Sequence, residues 1–223
     1  MNSLPIISSP WSESWVAWTM LGLLVLVGIA HVMQPQAITM GFRSLFSTGD
    51  RSSTFIDTAL DKRAQTIMLF FAACVVSMAT YIVVFAWTNG QQFSFDNYGL
   101  VVLLTTVIML LRTVFEILVG FTFIPHGGFD AFIDHYYHLA VCTALIHYPI
   151  LLICLFCSAL TTNAIIILNA AIIIIYLIAL FVKGCLMLVH SVRAFFYGLI
   201  CIITFEIVPA LALFLSTYYL ITK

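Results

Sequence analysis

The segment "RTVFEILVGF", residues 112–121, sets an arginine and a glutamate four positions apart inside an apolar stretch running from Leu100 to Phe123. That spacing puts Arg112 and Glu116 on one helical face, where they can neutralise each other. Two further ionisable residues stand near the centres of apolar runs: His147 in "ALIHYPILL" and Glu206 in "ITFEIVPAL". Depths taken from the midpoints of the runs place Arg112, Glu116, His147 and Glu206 within about one turn of a common plane. Ionisable groups at that depth face the interior of a bundle and pair with one another. Two chemistries fit this set. In a structural clasp, the planar guanidinium serves two carboxylates and pins the last helix to the third. In a proton or ion path, Glu206 and His147 titrate under the influence of Arg112. Pro149 and Pro209 follow closely on His147 and Glu206. A proline inside a helix frees the carbonyl four residues back, here that of Leu145 and of Phe205.

A second group lies in "FIPHGGFDAFIDHYYHLAVC", residues 123–142. Asp130, Asp134 and His138 recur every four residues after Gly127 and Gly128, so they share one helical face, and carboxylate with imidazole is metal-ligand chemistry. His126 and His135 are close by, and His31 and His190 fall at the same end of their own segments. His31, His138 and His190 are the histidines to try as paired haem ligands. Acids in the first turns of a helix also simply complement its dipole. The chain has no H-E-x-x-H motif, no repeated histidine boxes, no serine–histidine–acid set and no glycine-rich phosphate loop, so no cofactor is expected. Cys154 and Cys157 form a C-x-x-C pattern within an apolar helix, without the polar context of a redox or zinc site. The six cysteines read as small hydrophobes.

The elements that carry these residues follow from composition. Of 223 residues, 63% are hydrophobic and 8% charged, against about 25% charged in soluble domains. Segments near the ~20 apolar residues that cross a bilayer lie at about 15–33, 67–87, 99–123, 138–160, 164–182 and 194–220. The expected fold class is all-α: a single polytopic membrane helix bundle over 1–223, with six transmembrane helices and short loops. The flank before the first segment has no basic residue, so this segment reads as a retained helix rather than a cleaved signal. The loop 34–66 should hold a short interfacial helix around "QAITMGFRSLFS", and "FIDTALDKRAQ" should lead helically into the second span. "SALTTNA" is a tight reversal that makes the fourth and fifth helices antiparallel neighbours. The fifth, isoleucine-rich all round, suits a lipid-facing helix whose Asn169 bonds a neighbour at ~1 kcal/mol.

Helix 3 is poorly stable as a lone span. Its apolar residues contribute roughly −5 to −9 kcal/mol to insertion, and a central Arg plus Glu cost about +5 to +7 on the same scale. It must lean on its neighbours. Arg43, Arg51, Lys62, Arg63, Lys183 and Arg193 fall on one side of the membrane and Lys223 on the other. The positive-inside bias then makes the long first loop cytoplasmic and both termini periplasmic, in a bacterial inner membrane. The net charge of −1 says nothing about nucleic acid, and with no basic patch carrying interleaved aromatics in the sequence no nucleic-acid partner is expected.

Three stretches carry a family likeness: "LLRTVFEILVGFTF" (110–123), "DAFIDHYYHLAVCTALIHYPILL" (130–152) and "RAFFYGLICIITFEIVPALALFLSTYYL" (193–220). They resemble an uncharacterised Bacteroidota family of inner-membrane proteins, a domain of unknown function. The closest points are Arg112 with Gly120, and aromatic residues followed by the Glu206–Pro209 step. The likeness covers roughly 100–223. It implies six helices and no activity. Asp130, Asp134 and His135 depart from the neutral polar residues expected there.

The sequence-level expectation is a non-enzymatic subunit or accessory factor of a cell-envelope complex, with the lipid bilayer and an envelope protein as partners. The alternatives are a small proton- or ion-coupled transporter using Arg112, His147 and Glu206, and a membrane metal-dependent enzyme using Asp130, Asp134 and His138.

Overall fold

The computed structural model describes residues 13–33, 35, 59–88, 94–123, 129–157, 160–188 and 203–222, with backbone alone at 59–62, 116–123, 129–136, 183–188, 203 and 205. Among these residues the chain is all-helical. The helices are α1 (Ser14–Met33), α2 (Ala59–Trp87), α3 (Phe95–Phe123), α4 (Phe129–Phe156), α5 (Thr162–Leu188) and α6 (Val208–Thr222), the last entered through a π-helical turn, Ile203–Ile207. Helices α1 to α5 are long and apolar enough to cross a membrane, and α6 is a shorter apolar helix. The chain is a multi-pass membrane protein. The interfacial helix expected within the loop 34–66 lies outside the described residues. The helical lead into the second span is present, since α2 starts at Ala59.

Local sequence sets the helix starts. Ser94 caps α3: its Oγ accepts from the Asn97 N–H at 3.3 Å and its carbonyl from the Tyr98 N–H at 3.2 Å. Thr161 does the same for α5, with Oγ1 accepting from the Ala164 N–H at 3.3 Å. Both are the short hydroxyl residues that satisfy the orphan donors of a first turn. Pro149 sits inside α4 without ending it, as membrane helices allow when neighbours surround the freed carbonyl.

Helix α2 is the axis of the bundle. It packs against all five other helices, and 67% of its apolar window is buried, against 11% for α5 and 17% for α3. The residues in contact are Phe71, Val75, Met78, Tyr81, Ile82 and Val84, interspersed with Ala72, Ala73 and Ala79. Small residues let helix backbones approach closely where no hydrophobic drive favours protein over lipid. Its hydroxyls turn inward on their own helix: Ser77 donates to the Ala73 carbonyl at 2.7 Å and Thr80 to that of Val76 at 2.9 Å. The outer helices are inverted relative to a soluble fold. Leu24, Ile29, Leu103, Leu110, Ile175, Ile178, Leu211 and Leu215 are all exposed, which would be an aggregation hazard in water and is ordinary solvation in hydrocarbon.

One end of the bundle is marked by aromatics. Trp15 stacks on Tyr98 at 5.6 Å and meets Phe95 edge-on at 5.7 Å, with Trp18 and Trp87 exposed nearby in sequence. Such belts sit at a membrane–water interface, and this end is called the tryptophan face below.

Tyrosines tie the helices together through backbone carbonyls, whose second lone pair remains available inside a helix. Tyr98 of α3 donates to the Cys74 carbonyl of α2 at 3.4 Å, and Tyr137 of α4 to Gln65 of α2 at 3.1 Å. Tyr148 of α4 donates to Met20 of α1 at 2.8 Å. Tyr148→Phe keeps the ring and removes that bond; it is expected to cost about 0.5–1.5 kcal/mol, near the range for interhelical bonds in membranes, seen as a lowered melting midpoint in detergent.

Candidate functional site

Among the described residues, two polar centres lie within the bundle. In the first, Arg112 of α3 and Glu206, in the turn leading into α6, form a salt bridge between the Arg112 Nη2 and the Glu206 Oε1. Their side chains are 14% and 8% exposed. Tyr176 of α5 completes a triangle: its hydroxyl accepts from Arg112 Nη2 at 3.4 Å and donates to Glu206 Oε1 at 3.2 Å. One carboxylate oxygen therefore accepts from a guanidinium and a phenol on two different helices. Charge-assisted bonds of this kind are about twice as strong as neutral ones. A buried charge demands such partners.

In the second centre, His147 of α4 faces Asn169 of α5, with Nε2 and Oδ1 2.8 Å apart. Asn169 Nδ2 is itself a donor to the Ile165 carbonyl at 2.8 Å and points at Cys154 Sγ at 3.9 Å. Its Oδ1 is thus the acceptor, and His147 holds its proton on Nε2. Asn169 and His147 are both buried, at 0% and 4% exposure.

The two centres stand at different depths. Asn169 and Tyr176 are about two turns apart on α5, roughly 10 Å along its axis. Arg112 lies about four turns beyond Tyr98, and Tyr176 about four turns beyond the start of α5, each roughly 21 Å from the tryptophan face. In a core ~30 Å thick, the salt bridge is in the half remote from that face. Of the four residues expected to share a plane, the structure joins Arg112 and Glu206, and sets His147 apart with Asn169. The midpoint of an apolar run gives depth only when the run is centred in the bilayer. Helix α3 begins at Phe95 and already buries Tyr98, so Arg112 falls past the centre. The Glu116 side chain lies outside the described residues.

Glu206 owes its aim to an irregular backbone. It sits in the π turn Ile203–Ile207, three residues before Pro209. The proline ring clashes with the carbonyl four residues back and supplies no N–H, and a wider π turn relieves both. Adding one residue to the turn rotates what precedes it by about 100° relative to a regular α-helix, and within this widened turn Glu206 meets Arg112. Pro209→Ala allows the turn to tighten and the carboxylate to swing away. In a double-mutant cycle, Glu206→Gln is then expected to have little further effect on stability in the Pro209→Ala background. Additive losses in the detergent melt would count against this coupling.

The remaining sequence candidates are placed as follows. Asp130 and Asp134 ride on α4 with side chains outside the described residues, as does His135; His126 and His190 are also outside them. His138 lies against Tyr137, ring centroids 5.4 Å apart, and His31 is exposed near the end of α1. Among the described residues, no group of three or more His, Cys, Asp or Glu is gathered for a metal. Cys74, Cys142 and Cys154 are buried and Cys157 exposed, all as free thiols. An open apolar groove of about 520 Å³ lies between α3 and α6 near the tryptophan face, lined by Leu100, Leu103, Leu104, Leu215 and Tyr219.

Tyr176 is the site residue that sequence reasoning missed. It is embedded in "AIIIIYLIALF", where a tyrosine reads as a lipid-facing aromatic. Its position about two turns from Asn169, on the same helical face, was the available signal.

No curated protein and no solved structure matches the chain. A family model does, along residues 16–215, nearly from the first helix to the last. The chain belongs to the family described as the domain of unknown function DUF4271.

Proposed function

We propose that the protein is a non-enzymatic integral subunit or accessory factor of a cell-envelope complex, seated in the bacterial inner membrane with both termini periplasmic. The observation that carries this reading is the filled axis. The helix in contact with every other helix is apolar along its buried length, and its hydroxyls are spent on their own backbone. A path for protons or ions needs a chain of polar groups or water. Here the two polar centres lie at separate depths, each satisfied by partners on neighbouring helices. That arrangement suits a rigid scaffold. Orientation rests on the six basic residues of one side against Lys223 on the other, by the positive-inside bias. The test is the size and composition of the tagged chain extracted in mild detergent at native expression. The proposal expects an assembly with a second membrane protein at fixed stoichiometry; recovery of the lone chain would overturn it.

A proton- or ion-coupled carrier is the second reading, favoured by the π turn that holds Glu206, since such turns recur at functional sites. Purified chain in vesicles holding a pH-sensitive dye, under an imposed potassium potential, decides it. A carrier shows proton entry that Glu206→Gln abolishes; equal entry with and without the carboxylate removes Glu206 from any such mechanism.

A further inference from the structure

Among the described residues, α5 packs along α4 and α2, and α6 packs along α3 and α2; no run of close backbone packing joins α5 to α3 or α6. Polar bonds cross this boundary nonetheless. From α5, Tyr176 reaches Arg112 at 3.4 Å and Glu206 at 3.2 Å. The same three helices turn apolar side chains outward, including Ile175 and Ile178 on α5, Leu111 and Val114 on α3, and Val208 and Leu211 on α6. In hydrocarbon, apolar side chains gain little from choosing protein over lipid, so the apolar surfaces give such a boundary little resistance to parting. The carboxylate at the centre of the tie lies in a π turn, the kind of irregular backbone that recurs at functional sites.

We infer that the boundary between α5 and the α3–α6 pair is a lateral opening toward the bilayer, held shut by the Tyr176 bonds to Arg112 and Glu206. When the tie breaks, α5 moves with α4, on which it packs, while α3 and α6 stay together through their own contact. Helix α2, touching all of them, is the pivot. Opening brings Arg112 and Glu206 into contact with whatever the bilayer presents at that depth. This inference does not depend on the accessory role: the first is read as a distance within one chain, the second as the presence of a partner.

The test uses nitroxide labels at Ile178→Cys on α5 and Leu211→Cys on α6, both exposed in the native chain. The native cysteines are replaced by alanine, and the protein is held in lipid nanodiscs for pulsed electron-spin distance measurement. The parent should give one narrow distance distribution. Tyr176→Phe, which keeps the ring and drops the hydroxyl, should add a population at longer distance, and Glu206→Gln should do the same. Thr113→Val, which removes an exposed hydroxyl bonded only within its own helix to the Met109 carbonyl, should leave the distribution unchanged. A distribution in Tyr176→Phe identical to the parent overturns the inference, and this variant decides the matter by itself if Glu206→Gln does not fold.

Discussion

Replacing Glu206 with alanine is expected to destabilise the bundle by about 3–5 kcal/mol, the usual cost of removing one partner from a buried ion pair. The loss should appear as a lower midpoint in an SDS titration from mixed micelles. The size comes from what is left behind. Without the carboxylate, a guanidinium remains in the bundle, and a guanidinium cannot give up its charge. Arg112→Ala should cost less, because a carboxylate that loses its guanidinium can be neutralised by a proton whereas an arginine cannot. The double replacement Arg112→Leu with Glu206→Leu should be milder than Glu206→Ala, since well-packed apolar residues often replace a buried pair with little loss. A double variant worse than both single ones would mean that the pair gives net stability. The Tyr176 hydroxyl then loses its bonds to Arg112 and Glu206, and this bounds the recovery.

The second large effect is expected at the axis. Phe71 is fully buried on α2 and lies 5.8 Å, centroid to centroid, from Tyr148 of α4. Phe71→Ala removes roughly 100 Å³ of side chain, and at ~24 cal/mol per Å³ of cavity the cost is roughly 2–3 kcal/mol. The transfer term that raises this figure in soluble proteins is largely missing, because the unfolded reference in a membrane is also apolar. Phe70, the next residue back, is 47% exposed, and Phe70→Ala should stay within about 0.5 kcal/mol of the parent. Equal losses at the two positions would show that α2 is not the packed centre of the bundle.

What could be read from the chain divides along a physical line. Composition and run length determine which segments cross hydrocarbon: five described helices are long and apolar enough to do so, and α2 starts at Ala59 as its polar lead suggested. Charges inside apolar runs must find partners, so the meeting of Arg112 with Glu206 followed from cost alone. Asn169 bonding a neighbour from an otherwise lipid-facing helix followed in the same way. What one chain of letters does not encode directly is the azimuth and offset of one helix against another. That is why His147 was grouped with Arg112 when it belongs with Asn169. It is also why the tyrosines at 98, 137, 148 and 176 carried no expected role, although they tie helices together. The central position of α2 is a property of packing among six elements, hinted at only by its alanines. The π turn was half legible: Pro209 announced a disturbed ladder, but whether the helix would kink or widen depended on where Glu206 had to point.

The most direct check on the account is a distance measured in lipid. Magic-angle-spinning NMR on the chain carrying ¹⁵N in its guanidinium groups and ¹³C in its glutamate side-chain carboxyls reports their dipolar coupling in native bilayers. The account predicts strong dephasing of a carboxyl signal by an arginine nitrogen that disappears in Glu206→Gln. Dephasing that is absent, or that persists unchanged in that variant, would contradict a bridge between the third and sixth helices.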